Sequence, residues 1–162
     1  MLSSASIRWV VVLLLLIVLN AYGVAACKPD TRSQQQIAAL NQAFIDAILK
    51  MDNSAVMALW ADDGVDLMPG TAPVVGKTAI TKWLDDVTAN VKGYHVAKQE
   101  VEYRDLEICG EWASEWGNTH QVVQPPDGKQ PIEIFGKMAL VLHKEKDGSW
   151  RIKQEMWNAS PK

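Results

Sequence analysis

The order of apolar patterns along this chain predicts an α+β fold, an antiparallel sheet with helices packed on one face. Two observations predict it. Apolar residues recur at three- and four-residue steps through the first half, and β-branched and aromatic runs separated by turn residues fill the second. Consecutive strands joined by hairpin turns pair as antiparallel neighbours.

The helices come first. Ile37, Leu40, Phe44, Ile48 and Met51 form one stripe, predicting a helix from about Gln34 to Met51 that Asp52-Asn53 ends. Ser54 suits the N-cap of a short helix carrying Val56, Leu59 and Trp60, which should end near Asp62-Asp63-Gly64. A brief strand, Val65 to Met68, runs into the turn Pro69-Gly70. A third helix follows Gly76, with the stripe Ile80, Trp83, Leu84, Val87 and Val91, and Gly93 closes it. Strands are expected over Tyr94 to Ile108, Trp112 to Val123, Ile132 to Lys144 and Trp150 to Trp157. Pro125-Pro126-Asp127-Gly128 and Asp147-Gly148 mark turns between them.

The N-terminus has a different character. Arg8 is the only charge before Lys28, and the apolar run Trp9 to Leu19 ends at Asn20 and a small-residue stretch. A basic residue, a short apolar core and small residues make a secretory signal, and the run falls short of the about 20 apolar residues a spanning helix needs. Residues 1–26 are therefore expected to be a signal peptide, 27–34 a tether and 35–160 the working domain. Val24-Ala25-Ala26-Cys27 resembles the lipobox of bacterial lipoproteins, which implies lipidation of Cys27, membrane attachment and a place in the cell envelope, facing the periplasm. The other reading is plain cleavage after Ala26, a soluble periplasmic or secreted protein, and Cys27 left as a thiol or paired with Cys109.

Composition excludes some classes. The net charge is only −3 and no basic run is interleaved with aromatics, so no nucleic-acid partner is expected. His95, His120 and His143 lack ligand spacing, so no metal site is expected. No phosphate loop, nucleophile elbow or Cys-His pair is present, and no cofactor is implied. His120, mid-strand, is a candidate to reach a cavity. Seven tryptophans suit a core and a pocket for apolar or ring-shaped ligands.

The segment Leu59-Trp60-Ala61-Asp62-Asp63-Gly64-Val65-Asp66-Leu67-Met68-Pro69-Gly70, with Gly76-Lys77-Thr78-Ala79-Ile80, Gly136-Lys137, Asp147 to Ile152 and Trp157-Asn158, resembles the SnoaL-like and ketosteroid-isomerase-like proteins of the nuclear transport factor 2-like superfamily. The resemblance implies a cone: a curved antiparallel sheet wrapped around N-terminal helices and enclosing a pocket. It also implies a homodimer through the open sheet face. Ketosteroid isomerases use an aspartate as proton shuttle, and a tyrosine and a protonated aspartic acid as oxyanion donors. Those positions fall here at Met68, at Phe44 and near Lys137 to Ala139, none of which has the required group. These residues argue against steroid isomerisation by that route.

Other polar groups remain. Asp66 and Met68 share a strand face by two-residue alternation, as do Glu155 and Trp157. Asp66 and Glu155 are the candidate catalytic carboxyls. Phe44, Met68, Glu115, Lys137 and Trp157 are the candidate ligand contacts, with Glu115, Lys137 and Glu155 expected to meet as a lysine bridged by two acids. Trp150, Ile152, Met156, Leu59, Trp60, Trp83 and Leu84 are expected in the core. Trp112 and Trp116, on one strand face, suit a dimer interface or the pocket equally. The expected function is an exported, lipid-anchored pocket domain binding a small apolar or aromatic molecule. The alternatives are an isomerase, dehydratase or hydrolase using Asp66 or Glu155 with Lys137, and a dimeric interaction or assembly domain.

Overall fold

A computed structural model describes Cys27, residues 30–126 and residues 128–162. The expected signal peptide, Lys28-Pro29 of the tether and Asp127 of the Pro125 to Gly128 turn lie outside the described residues, and the rest of the expected tether runs into the first helix.

Helix α1 spans Thr31–Leu49. Asp30 caps it, accepting from the backbone N–H of Arg32 at 3.1 Å and of Ser33 at 3.3 Å, which satisfies two of the free donors of the first turn. Ile37, Leu40 and Phe44 are buried along one side, at about 1.5–3 kcal/mol each, and this anchors α1 inside the sheet. Helix α2 spans Asn53–Ala58, capped by Asp52 rather than Ser54. It stops earlier than the sequence suggests, because Trp60 already pairs with Ile152 as the first residue of β1. Helix α3 spans Lys77–Asn90.

The strands are β1 (Trp60–Leu67), β2 (Val74–Val75), β3 (His95–Cys109), β4 (Trp112–Gln124), β5 (Ile132–Lys144) and β6 (Trp150–Ala159). They form one curved, unclosed sheet in the order β2-β1-β6-β5-β4-β3. Four pairings are antiparallel, but β1 lies parallel to β6, the last strand of the chain, which sits between β1 and β5. The two-residue β2 was not expected from the sequence.

Irregularities in three strands set which side chains face inward. On β1 the register shifts between Trp60 and Val65, so Asp62-Asp63-Gly64 is a bulge, not a helix end. Lys153 pairs with Asp63 across it. On β6, Ile152 pairs with Leu142 but Glu155 pairs with Leu140, so one extra residue flips the inward phase. Trp150 and Ile152 point inward before the flip, Glu155 and Trp157 after it. Met156, expected in the core, is therefore corrected to the outer face, where it is 47% exposed. On β3 the register shifts between Arg104 and Glu107, and Asp105 sits there at φ +52.

Cys27 is bonded to Cys109, tying the start of the domain to the end of β3 across 82 residues. A disulfide sulfur has no bond left for a lipid thioether. Pairing with Cys109 and lipidation of Cys27 are therefore alternatives, and the bond is the first of them.

Candidate functional site

Between the helices and the inner face of the sheet lies a cavity of about 180 Å³. Each element contributes through its inward positions. Phe44 and Ile48 come from α1, Val56 and Met57 from α2, and Ile80, Trp83 and Leu84 from α3. The strands add Trp60 and Asp66 of β1, Gln99 of β3, Thr119 and Gln121 of β4, Ile134 and Met138 of β5, and Glu155 and Trp157 of β6. Met68, just past β1, completes the wall. An apolar groove between α3 and the sheet shares Ile48, Val56, Leu84, Gln121 and Ile134 with the cavity and continues it outward.

The polar centre is a pair of acids. Asp66 and Glu155 are register partners on the parallel strands β1 and β6, and both face inward. They are 2% and 6% exposed. Among the described residues no Lys, Arg or His lines the cavity. Burial pushes the Asp66 carboxyl up to about 6, with the Leu67 backbone N–H pulling weakly the other way. Burial, and then the charge of Asp66 beside it, pushes Glu155 to about 8. Near neutral pH the pair accordingly holds one carboxylate and one carboxylic acid side by side, titrating as a unit. Asp66 Oδ1 makes no hydrogen bond to any described residue.

Trp157 is held against the cavity by two features. Its indole N–H donates to Thr119 Oγ1 at 3.0 Å. A Cβ on Gly136 would come within 2.5 Å of the indole, so only glycine lets the ring lie flat on β5. Gln121 donates to Gln99 Oε1 at 2.9 Å, bracing the outer end.

Glu115 is buried, at 5% exposure, but does not line this cavity. It is separated from Glu155 by Leu140, with which both are in register. It faces a groove between α1 and β3 with Asn41 and Tyr103. Burial raises its pKa and Asn41 opposes that. Burial, then the charges of Glu115 and Glu155, raises that of Tyr103. Tyr103 Oη, Glu115 Oε1 and Asn41 Oδ1 have no partner among the described residues.

Two expected contacts are corrected. Lys137 is exposed on the outer face, in register with Asn118 and Asn158, because the inward positions of β5 are Gly136, Met138, Leu140 and Leu142. The lysine bridged by Glu115 and Glu155 does not exist. His120 also faces outward, stacked on Phe135 with Nε2 3.2 Å from Glu133. Trp112 and Trp116 are outside the cavity and 48% and 40% exposed, Trp116 donating to Asp105 Oδ2 at 2.6 Å. Trp60, expected as core, is buried there and also borders the cavity, as do Leu84, which packs against the core, and Trp83. Thr119, Gln99 and Gln121 were not singled out from the sequence. Counting in steps of two from buried Ala113 along β4 would have placed Thr119 and Gln121 inside.

With this geometry in view, the comparisons with known proteins agree. Residues 37–157 match the model of the SnoaL-like domain, and the chain belongs to that family. A ketosteroid isomerase-like protein from Erwinia carotovora atroseptica is 22% identical, with 78% of this chain and 96% of that one covered at a TM-score of 0.67. An NTF2-like protein from Pseudomonas putida is 20% identical, covering 83% and 92% at 0.66. A conserved protein from Planctomyces limnophilus is 18% identical, covering 81% and 100% at 0.70. At these identities the likeness is one of fold. No curated protein sequence is significantly similar to this chain.

Proposed function

We propose that this protein is an exported pocket domain that encloses one small, largely apolar molecule against the Asp66–Glu155 pair. One observation carries the reading. The inner cavity combines aromatic walls from Phe44, Trp60, Trp83 and Trp157 with two adjacent buried acids. A dry cavity near 150 Å³ takes a ring the size of benzene, so about 180 Å³ suits a substituted ring. Thermal unfolding with a panel of neutral apolar and aromatic compounds tests it. A compound present at a hundredfold its Kd stabilises by about 2.7 kcal/mol, a shift of several degrees. No shift with any member counts against the reading.

A second reading is favoured by the unpartnered Asp66 Oδ1. A carboxylate and a carboxylic acid at one cavity wall form a base and an acid, able to move a proton between two atoms of a bound molecule. That suits isomerisation or dehydration, and the SnoaL-like and NTF2-like families span isomerases, dehydratases and ligand-binding proteins. Lys137 has no part in it. Asp66→Asn and Glu155→Gln should each abolish turnover once a substrate is found, and unchanged rates in both remove the proposal.

The bond between Cys27 and Cys109 supports export, since disulfides persist in oxidising compartments. The intact mass of the chain from its native host separates an oxidised pair from an acylated Cys27, which would carry the lipid anchor. On the outer face Trp116, Ala139 and Met156 are in register across three strands, with Trp112 alongside. That apolar row supports a homodimer, or an assembly surface, and sedimentation velocity at micromolar concentration tests it. A monomer there argues against both.

A further inference from the structure

The inner face of the sheet carries an unusual charge balance. Asp66, Glu155 and Glu115 lie on one cross-sheet row through β1, β6, β5 and β4, with Leu140 between the two glutamates. All three are more than nine-tenths buried. Beyond the pair, the titratable groups on this inner face are Tyr103 of β3 and Glu115 of β4, which face the neighbouring groove between α1 and β3. Helices α1, α2 and α3 and strand β5 present only Phe44, Ile48, Val56, Met57, Ile80, Trp83, Leu84, Ile134 and Met138 to the cavity, none of which titrates. Of the cations that touch β1, Lys77 is turned to the Trp60 carbonyl at 3.3 Å and to Asp62 at 3.9 Å, and Lys153 to Asp63, and neither lines the cavity. Buried acids in folded proteins are ordinarily matched by a cation or by hydrogen bonds. Here Asp66 lines a cavity walled by tryptophans, and its Oδ1 has no partner among the described residues.

Resting on the small-molecule reading, we propose that the ligand is an apolar organic amine, its ammonium seated between Asp66 and Glu155 and its hydrocarbon body among Trp60, Trp83 and Trp157. Three features of the cavity meet three features of such a ligand. The ammonium supplies hydrogen-bond donors and the charge that the acids lack. Among aromatic side chains, indole faces attract a cation best. The aliphatic and aromatic lining accepts the rest of the molecule. A neutral ring fills the same space and leaves the carboxyls unmatched.

Binding then moves a proton. In the free protein at neutral pH, Asp66 is ionised and Glu155 protonated. An ammonium beside them favours both carboxylates, so Glu155 gives up its proton to the buffer as the cation enters. Up to one proton is released per amine, and affinity rises with pH through the interval from about 6 to about 8.

Isothermal titration of the disulfide-intact protein with benzylamine and with benzyl alcohol tests this, at pH 6, 7 and 8 and in two buffers of different ionisation enthalpy. The expected result is benzylamine bound at least about tenfold more tightly than the alcohol, with proton release at pH 7 and tighter binding at pH 8 than at pH 6. Asp66→Asn and Glu155→Gln, which keep the side-chain shape and add no charge, should each weaken benzylamine at least about tenfold, and by more than they weaken the alcohol. Benzyl alcohol bound as tightly as benzylamine overturns the amine proposal and leaves the small-molecule reading standing. So does benzylamine bound without proton release, or unaffected by either variant. Neither compound binding overturns both.

Discussion

Replacing Glu155 with glutamine should make the protein more stable, and by an amount that depends on pH. The side chain is 6% exposed and its nearest charged neighbour is another acid. In the unfolded chain Glu155 ionises near its ordinary 4.5; in the folded chain it holds its proton to about 8. The folded state therefore binds the extra proton between those values, and stability falls as pH rises from about 4.5 to about 8. Each tenfold in proton affinity is about 1.4 kcal/mol, which bounds the loss near 5 kcal/mol. Water entering the cavity lowers it, and about 2 to 4 kcal/mol is the expected size, typical of effective penalties for buried ions. Glutamine has nearly the same shape and no charge. Urea unfolding of both proteins at pH 5, 7 and 8.5 should show a small difference at pH 5 that widens to about 2 to 4 kcal/mol at pH 8.5. A difference that stays constant across that range refutes the reasoning, because it means Glu155 ionises in the folded protein as it does in water.

Three other variants probe the frame around the pair. Gly136→Ala would push a methyl into the Trp157 ring, so it should destabilise by about 1–3 kcal/mol and red-shift tryptophan emission as the indole leaves Thr119. The double change Cys27→Ser and Cys109→Ser should cost about 4 kcal/mol, since it opens a loop of 82 residues, measured by urea unfolding without reductant. Lys137→Ala should change stability by less than about 0.5 kcal/mol and leave ligand affinity unchanged in titration, because the side chain is exposed on the far face.

Much of the fold was legible because it rests on periodicity. The stripe of Ile37, Leu40 and Phe44 and the four long strands repeat a local pattern over many residues, and the family resemblance implied the cone. Three features resisted. The bulge at Asp62-Asp63-Gly64 has neither helical nor strand period, so it was mistaken for a helix end. The parallel pairing of β1 with β6 joins segments about ninety residues apart, which no local pattern encodes. The extra residue on β6 flips the inward phase between Ile152 and Glu155, and this sent Met156 outward.

Legibility of the candidate site followed the same rule. Asp66 with Met68, and Glu155 with Trp157, lie on regular stretches, and simple alternation put each pair on one face. Lys137 was misplaced although its neighbours carried the signal: Met138, Leu140 and Leu142 alternate, which puts Lys137 on the opposite face. That Asp66 and Glu155 are neighbours was not legible, because it depends on the β1–β6 pairing.

The account stands on a buried acid pair with no cation beside it among the described residues, and carbon-13 NMR of carboxyl-labelled protein measures it directly. Resonances assigned with Asp66→Asn and Glu155→Gln should titrate apart from all surface acids, one step near 6 and the other near 8. Both carboxyls titrating near 4, with the surface acids, would mean a solvated pair and would contradict the account.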